Sequence, residues 1–351
     1  MESLAFGDQL AGTVRALMAR GHGILAADES DATIGSRFRA LEIESTPENR
    51  RRYRQMLFGT PGLADHISGV ILFDETIRQG ADDGRTFVQF LRDLDITPGI
   101  KVDRGTTPLA GAPGEKVSEG LDGLRGRLEE YRELGARFAK WRAVISVGDG
   151  RPSRYALEAN AHVLARYARL CQEAGIVPVV EPEVLMDGDH SLEQAFDATE
   201  ATLAHVFAAL RDQGVTLELM LLKPNMVVPG LKAARQATVP EVAEATVRCF
   251  RRVVPAAVPG VVFLSGGQPA ERATAHLNAM NRITGGQPWA LGFSFARALQ
   301  DPAMAAWRGE TKNVPDAQRA LHHRAKLNGA ARDGQYTPEM EDAERLAPIT
   351  R

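Results

Sequence analysis

The sequence predicts an α/β protein built as a single (β/α)₈ barrel over residues 1–351. Two observations predict this fold. Eight short apolar runs are separated by stretches with helical periodicity, and such alternation favours parallel strand pairing. Polar side chains suited to chemistry also stand at or near the C-terminal end of every run. In a closed barrel these ends meet at one mouth, whereas in a doubly wound sheet, the alternative fold, the outer ends lie far apart.

The elements follow in chain order. Leu10, Val14, Leu17 and Met18 recur at helical spacing and predict an extra amphipathic helix before the first strand. The predicted strands are 23–27, 69–73, 96–102, 138–147, 176–180, 217–222, 260–264 and 288–295. Among the helices, 153–174 begins at a capping serine and ends before a glycine, and a capping box opens another at Thr238. Residues from about 333 to 351 are polar without a pattern, which predicts a mobile tail.

Composition excludes several functional classes. A hydrophobic content of 44% and a net charge of −3 predict a globular protein with no electrostatic reason to bind nucleic acid or an anionic membrane. No apolar run is long enough to span a bilayer, and the N-terminus lacks the pattern of a secretory signal. Cys171 and Cys249 have no CxxC partner, so we expect two buried, reduced thiols and a cytoplasmic location.

Lys223 is the most informative residue of the chain. Seven of the 42 basic residues are lysine and the others are arginine, yet Lys223 ends an apolar run. A lysine, unlike an arginine, can become a neutral amine and act as a nucleophile. Apolar surroundings and a second cation, which Lys140 of the fourth run could supply, favour that form. The alternatives are that the arginine excess reflects genome composition, that the lysines snorkel to solvent, and that Lys140 forms a structural ion pair with a glutamate.

Glu181 and Glu183 form the next chemical pattern. On a strand these alternate residues share one face, and two carboxylates facing a confined site rarely ionise equally. One of them could therefore serve as general acid and then as general base. The alternative is a surface pair near a strand end, which the apolar residues on both sides disfavour.

Two groups of residues suggest anion sites. Glycines after a strand expose backbone N–H groups that can hold a phosphate, and the loops after strands seven and eight form the usual phosphate site of such barrels. An ordinary turn is the alternative for the glycine loop. The first group comprises Ser265, Gly266, Gly267, Ser294 and Arg297, and the second comprises Ser30, Thr33, Arg37 and Lys101. Two anion sites flanking a reactive amine suit a small molecule with a phosphate at each end.

Metal ligation has little support in the sequence. The eight histidines include no HExxH pattern, and His322 and His323 are adjacent, so they face different sides of a helix. His190 stands in a polar loop. We therefore expect metal-independent chemistry and no cofactor.

At this point the motifs resemble a known family. The matching stretches are GHGILAADES, GVILFDET, GIKVD, FAKWRAV, GIVPVVEPEVLMDGDH, LLKPNMV, FLSGGQ and PWALGFSFARAL. They resemble class I fructose-bisphosphate aldolase, the Schiff-base-forming kind, over nearly the whole chain. The resemblance implies reversible aldol cleavage of fructose 1,6-bisphosphate to dihydroxyacetone phosphate and glyceraldehyde 3-phosphate. It also implies a homotetramer. The expected partner is the small sugar bisphosphate that serves as substrate.

The resemblance also implies residue roles. Lys223 looks like the Schiff-base lysine, Glu181 like the glutamate that shuttles protons, and Asp28 like the aspartate beside the cleaved bond. Lys140 and Glu183 match residues that tune and position the lysine. Ser265, Gly266, Gly267, Ser294 and Arg297 match one phosphate pocket. The residues that match family contacts to the rest of the substrate are Ser30, Thr33, Arg37, Lys101 and Arg142.

Three departures from the family pattern stand out. Thr33 replaces a common serine and keeps the hydroxyl, whereas Ala296 replaces a common glycine beside Arg297. The chain ends without the C-terminal tyrosine of animal relatives, and Tyr336 is the candidate substitute. The alternatives to this aldolase are a Schiff-base lyase for another phosphorylated ketose and a non-catalytic scaffold that binds sugar phosphates.

Overall fold

A closed ring of parallel strands forms the centre of the protein in the computed structural model, which describes residues 5–342. In chain order the strands are β1 (Gly23–Ala27), β2 (Ile67–Leu72), β3 (Thr97–Lys101), β4 (Thr106–Pro108), β5 (Lys116–Ser118), β6 (Phe138–Ile145), β7 (Val177–Val184), β8 (Leu221–Leu222), β9 (Gly260–Phe263) and β10 (Ala290–Phe295). The ring has the order β1-β10-β9-β8-β7-β6-β3-β2, and β1 pairs with both β10 and β2, which closes it. β4 and β5 pair with each other in a separate sheet. This closure confirms the predicted barrel and excludes the doubly wound sheet.

Helices connect successive strands and surround the ring. They are α1 (Gly7–Leu17), α2 (Asp31–Arg39), α3 (Pro47–Phe58), α4 (Asp74–Ile77), α5 (Phe87–Asp93), α6 (Leu124–Leu134), α7 (Arg154–Glu173), α8 (Leu192–Asp212), α9 (Val239–Val253), α10 (Ala270–Asn281), α11 (Arg297–Trp307) and α12 (Val314–Arg332). Within residues 5–342, none of them is both long and apolar enough to cross a bilayer.

The predicted helix caps are present. Ser153 Oγ accepts a hydrogen bond from the Ala156 N–H at 3.1 Å, which begins α7. Thr238 and Glu241 form the reciprocal capping box of α9. These local bonds satisfy backbone N–H groups that the first turn of a helix leaves without partners, so both helices begin where the sequence predicts.

Helix α1 closes one end of the barrel. Leu10, Val14 and Leu17 are buried, and they pack with interior strand residues such as Ile24 and Phe138. This apolar cluster fills the N-terminal end of the barrel. The polar residues at the opposite, C-terminal ends of the strands therefore line the open mouth.

The sixth predicted strand is wrong in its first half. Residues 217–222 were expected to be extended, but Leu217–Leu219 form a 3₁₀-helix and the strand is only Leu221–Leu222. The physical reason lies on α7, where the Gln172 amide donates to Thr216 O at 2.7 Å and accepts from Thr216 N–H at 3.0 Å. The backbone N–H and C=O of Thr216 are thus bonded to the Gln172 side chain, so they cannot extend the hydrogen bonding of β8 to its neighbouring strands.

The prediction of two buried thiols is confirmed, because Cys171 and Cys249 are free and buried.

The predicted tail is ordered in its first part. It was expected to begin at 333, yet Tyr336 is 5% exposed, and its backbone N–H donates to Asn278 Oδ1 at 3.0 Å. The first part of that segment is therefore packed against α10, while residues 343–351 lie outside the described part of the chain.

Candidate active site

A polar cavity of about 700 Å³ opens at the C-terminal ends of the strands. Fourteen of the fifteen predicted site residues line it, so the barrel brings together side chains that lie far apart in sequence. These fourteen are Asp28, Ser30, Thr33, Arg37, Lys101, Lys140, Arg142, Glu181, Glu183, Lys223, Ser265, Gly266, Ser294 and Arg297.

Lys223 stands directly after β8, inside the barrel. Its backbone N–H donates to Val180 O at 2.8 Å, which holds it beside β7. The side chain is 3% exposed overall, and its Nζ lies 3.3 Å from Glu181 Oε1. The alternative that this lysine snorkels to solvent is therefore wrong.

Lys140 lies on β6, which pairs with β7 on the side opposite β8. Its Nζ lies 2.7 Å from Asp28 Oδ2 and 3.3 Å from Glu181 Oε2. Burial acts to lower the pKa of Lys140, but the Asp28, Glu181 and Asp103 carboxylates outweigh burial and raise it. Lys140 is therefore a permanent cation in an ion pair with a glutamate, as one of the sequence alternatives held, and it also shares Glu181 with Lys223.

Asp28 follows β1 and faces the same cations. Burial alone would raise the pKa of the Asp28 carboxyl, but the side chains of Lys140 and Lys223 outweigh burial and lower it to about 2. The carboxylate is therefore ionised throughout the neutral pH range and can act as a fixed negative charge and hydrogen-bond acceptor.

The two glutamates have different surroundings. Both lie within β7, which extends to Val184, rather than after a strand ending at 180 as the sequence suggested. Glu181 places one oxygen against each lysine, whereas Glu183 Oε2 lies 3.0 Å from Arg142 Nη1. Burial raises the pKa of Glu183, with Arg142 acting against it. The structure thus gives the two carboxylates different partners.

Asp103 stands with Lys101 at the end of the third predicted strand, but it was given no role among the predicted site residues. Its Oδ1 lies 2.9 Å from Lys101 Nζ, and its Oδ2 lies 4.0 Å from Lys140 Nζ. It is buried and also accepts the Gly105 N–H at 3.2 Å. The signal was present, because Lys101 and Asp103 alternate at a strand end and must share a face.

The first anion site has free donors. Ser294 Oγ is buried without a hydrogen-bond partner among residues 5–342, and in the same range Arg297 is exposed and forms no ion pair. Gly266 and Gly267 have φ of +62° and +94°, the left-handed region that favours glycine. Gly267 does not line the cavity; a Cβ there would lie 3.1 Å from Arg297 Nη2, so it gives the guanidinium room.

The second anion site differs because its cations are already paired. Arg37 Nη2 lies 2.7 Å from Asp301 Oδ1, and Arg37 also pairs with Glu29. Lys101 is held by Asp103. Nearby, Ser30 and Thr33 hydroxyls lie 3.1 Å apart. An incoming anion there must share its cations, whereas Arg297 on the opposite side is uncommitted.

Comparison with known proteins shows the family of this chain. The family model for fructose-bisphosphate aldolase class-I matches residues 9–348. A probable fructose-bisphosphate aldolase class 1 of Xanthomonas campestris is 56% identical over 94% of this chain and 98% of the relative, and a fructose-bisphosphate aldolase of Dictyostelium discoideum is 51% identical over 95% and 94%. This chain belongs to the class I fructose-bisphosphate aldolase family. A solved structure of the Plasmodium falciparum aldolase, in complex with TRAP and a small-molecule inhibitor, has a TM-score of 0.92 and 47% identity over 94% of this chain and 95% of that one.

Two departures from the aldolase pattern can now be placed. Ala296 has a φ of −102°, outside the left-handed region, so its methyl group causes no backbone strain beside Arg297. Tyr336 does not line the central cavity: it borders a separate pocket beside α9 and α10, and its hydroxyl donates to Glu341 at 2.9 Å. In this arrangement Tyr336 does not replace the C-terminal tyrosine of animal aldolases.

Metal ligands are not grouped in the described part of the chain. No cluster of three or more His, Cys, Asp or Glu residues suited to a metal ion occurs within residues 5–342. The carboxylates of the cavity are instead paired with lysine and arginine.

Proposed function

We propose that Lys223 is the nucleophile with which this chain performs the reaction of its family, the reversible aldol cleavage of fructose 1,6-bisphosphate. One observation carries the proposal: Lys223 Nζ lies buried in the barrel mouth, 3.3 Å from a glutamate that also contacts a second lysine. An amine can attack a ketone there, and a carboxyl group is close enough to move the protons that imine formation requires.

Imine formation comes first. The neutral amine of Lys223 adds to the C2 carbonyl of the open-chain ketose and gives a carbinolamine. Glu181, in contact with the lysine, donates a proton to the carbinolamine hydroxyl, which leaves as water and creates the iminium. Lys140 stays charged and orients the Glu181 carboxyl through its ion pair, so the proton donor remains beside the reacting nitrogen.

Cleavage follows from the iminium. The C4 hydroxyl passes its proton to the Glu181 carboxylate, which gave up its own proton in the previous step, the C3–C4 bond breaks, and glyceraldehyde 3-phosphate leaves. The electron pair of that bond moves into the enamine on Lys223. Asp28, held ionised by Lys140, is proposed to hydrogen-bond the C4 hydroxyl as its proton leaves. Protonation of the enamine at C3 and hydrolysis of the imine then release dihydroxyacetone phosphate and restore the amine.

The two phosphates are proposed to anchor the substrate across the cavity. Ser294, Arg297 and the 265–267 loop hold one phosphate, and the Lys101 and Arg37 side holds the other. Arg142, paired with Glu183, faces the sugar hydroxyls between them. Fixing both phosphate ends of the substrate places its C2 carbon against Lys223, which is the positioning that an aldol cleavage needs.

Substitution of Arg297 tests the first phosphate site. Arg297→Ala removes a charge-assisted contact worth about 1.5–3 kcal/mol, so KM for fructose 1,6-bisphosphate should rise roughly 10- to 100-fold, with a smaller change in kcat. Arg297→Lys keeps the charge but lacks the forked guanidinium, so its KM should lie between those of the wild type and Arg297→Ala. Arg211→Ala, at an exposed arginine on α8, is the matched control. An unchanged KM for Arg297→Ala would show that the phosphate binds elsewhere.

Chelation tests the proposed independence from metals. Because Lys140 and Lys223 face the substrate carbonyl region and the carboxylates are paired, activity is expected to survive millimolar EDTA without loss. Steady-state cleavage assays with and without chelator, followed by zinc addition, measure this. Complete loss that zinc restores would instead indicate a metal-dependent aldolase.

We also propose a cytoplasmic homotetramer. The free, buried cysteines suit a reducing compartment, and four-subunit assembly is common in the family that the chain resembles. Light scattering coupled to size exclusion should give four times the chain mass. A monomer at micromolar concentration would contradict the assembly.

A further inference from the structure

We propose that His276 and Gln268 are positioning residues that set the conformation of the 265–267 phosphate loop. His276 lies on α10, outside the cavity, and touches the loop only through Gln268. The inference rests on the proposed function, because it assigns the pair to the phosphate held by that loop.

Gln268 closes the loop on itself. Its backbone N–H and its side-chain Nε2 both donate to Ser265 O, each at 3.0 Å. Gly266 and Gly267 between them adopt positive φ. The Ser265 carbonyl is thus held by two donors, and its direction determines where the adjoining Gly266 N–H points.

The hydrogen bonds also fix the orientation of the Gln268 amide. A carbonyl oxygen only accepts, so the amide NH₂ must face Ser265 O and the amide oxygen must face the other way. There, Gln268 Oε1 lies 2.6 Å from His276 Nδ1. Since an amide oxygen cannot donate, His276 must carry a proton on Nδ1.

The second nitrogen of the imidazole, Nε2, has no hydrogen-bond partner of its own in the described part of the chain. His276 is 1% exposed. Burial and the nearby Arg272 lower the pKa of His276 to about 4, which agrees with a neutral ring at working pH. The ring therefore donates one hydrogen bond, to Gln268 Oε1, and it affects the loop through the bond from Gln268 to Ser265.

Removing that donor should loosen the loop without touching the lysine. In His276→Leu, Gln268 Oε1 loses its buried donor, so the amide can rotate away from Ser265 and the Gly266 and Gly267 N–H groups lose their fixed direction. We expect KM for fructose 1,6-bisphosphate to rise about 10-fold while kcat falls less than about 2-fold, because Lys223 and Glu181 are unaffected. Inhibition by inorganic phosphate should weaken by a similar factor.

His276→Asn is the matched rescue. Its side-chain NH₂ can donate to Gln268 as the imidazole does, so KM should return to within about 3-fold of the wild type. If both variants raise KM equally, or if His276→Leu lowers the melting temperature and leaves KM and phosphate inhibition unchanged, the role is structural only and the proposal is wrong.

A measurement on the wild-type enzyme avoids the risk that a variant fails to fold. In ¹⁵N-histidine-labelled protein, assigned by its loss in His276→Asn, the His276 ring should show a protonated Nδ1 and an unprotonated Nε2, unchanged from pH 6 to 8. The opposite tautomer would overturn the proposal. A wild type that cleaves no bisphosphate would instead overturn the proposed function, which separates the two failures.

Discussion

Replacing Lys223 by methionine is expected to lower kcat for fructose 1,6-bisphosphate cleavage by on the order of 10⁵-fold. The methionine side chain fills nearly the same volume in a buried position but has no nitrogen to bond to the ketone. Glu181 keeps its contact with Lys140 at 3.3 Å, so the fold should tolerate the change. Cleavage is measured by coupling glyceraldehyde 3-phosphate release to a dehydrogenase.

Two controls separate chemistry from electrostatics in this experiment. Lys223→Arg keeps a cation beside Glu181 but provides no amine that can form an imine, so it should be as inactive as the methionine variant. Lys312→Met removes a lysine that is exposed on a 3₁₀-helix and should keep full activity. Retention of more than about 1% of kcat in either Lys223 variant would mean that another group supplies the nucleophile.

Replacing Lys140 by methionine should damage both stability and catalysis. The Asp28 and Glu181 carboxylates would remain buried without the cation that contacts both. Removing one partner of a buried ion pair costs about 3–5 kcal/mol in the free energy of unfolding. Because the Glu181 carboxyl also loses its orientation, kcat should fall about 10²- to 10³-fold. Urea unfolding and steady-state kinetics measure the two effects.

The stability loss should depend on pH in a defined direction. In the wild type the pKa of Asp28, about 2, lies below its unfolded value of about 3.9. Its contribution to stability is therefore complete above about pH 4 and is lost as pH falls through 2. Without Lys140, we expect burial, the largest single effect on Asp28, to outweigh the remaining attraction of Lys223 and Lys101 and to raise the pKa of Asp28 above the unfolded value. Lowering the pH should then stabilise the variant.

The difference in unfolding free energy between wild type and Lys140→Met should accordingly be smaller at pH 5 than at pH 8. Lys140→Arg, which keeps the positive charge, should lose activity but show little of this pH dependence. An equal loss at both pH values would indicate that Lys140 stabilises the protein through packing and not through the buried carboxylates.

Much of the barrel could be predicted because strand order and site placement follow from local patterns. Alternating apolar runs and helices specify parallel pairing, and polar residues at strand ends specify the mouth. Lys223 could be found because a lysine ending an apolar run in an arginine-rich chain is unusual. Glu181 and Glu183 could be placed on one face because side chains alternate along a strand.

The parts that could not be predicted depend on contacts between distant segments. The 3₁₀-helix at Leu217–Leu219 exists because Gln172, far away on α7, bonds the preceding backbone. The pairing of Arg37 with Asp301 requires α11 to lie beside α2. The different environments of Glu181 and Glu183 depend on which cation of the neighbouring strands each one contacts, and no spacing in the sequence specifies that choice.

Asp103 and His276 illustrate two kinds of omission. Asp103 follows Lys101 by two residues at a strand end, so the rule that identified the two glutamates would have placed it in the site. His276 carries no such signal, because it acts through a hydrogen bond to Gln268 and never reaches the cavity. α10 begins directly after the loop, but the sequence does not show that His276 points back to Gln268.

The most direct test of the central claim is covalent trapping. Wild-type enzyme mixed with dihydroxyacetone phosphate and reduced with sodium borohydride should lose activity as one substrate-derived group attaches to each chain. Peptide mass spectrometry should place that group on the Nζ of Lys223, and Lys223→Met should take up none. An adduct on Lys140 or another lysine, with Lys223 unmodified, would contradict the assignment of the nucleophile.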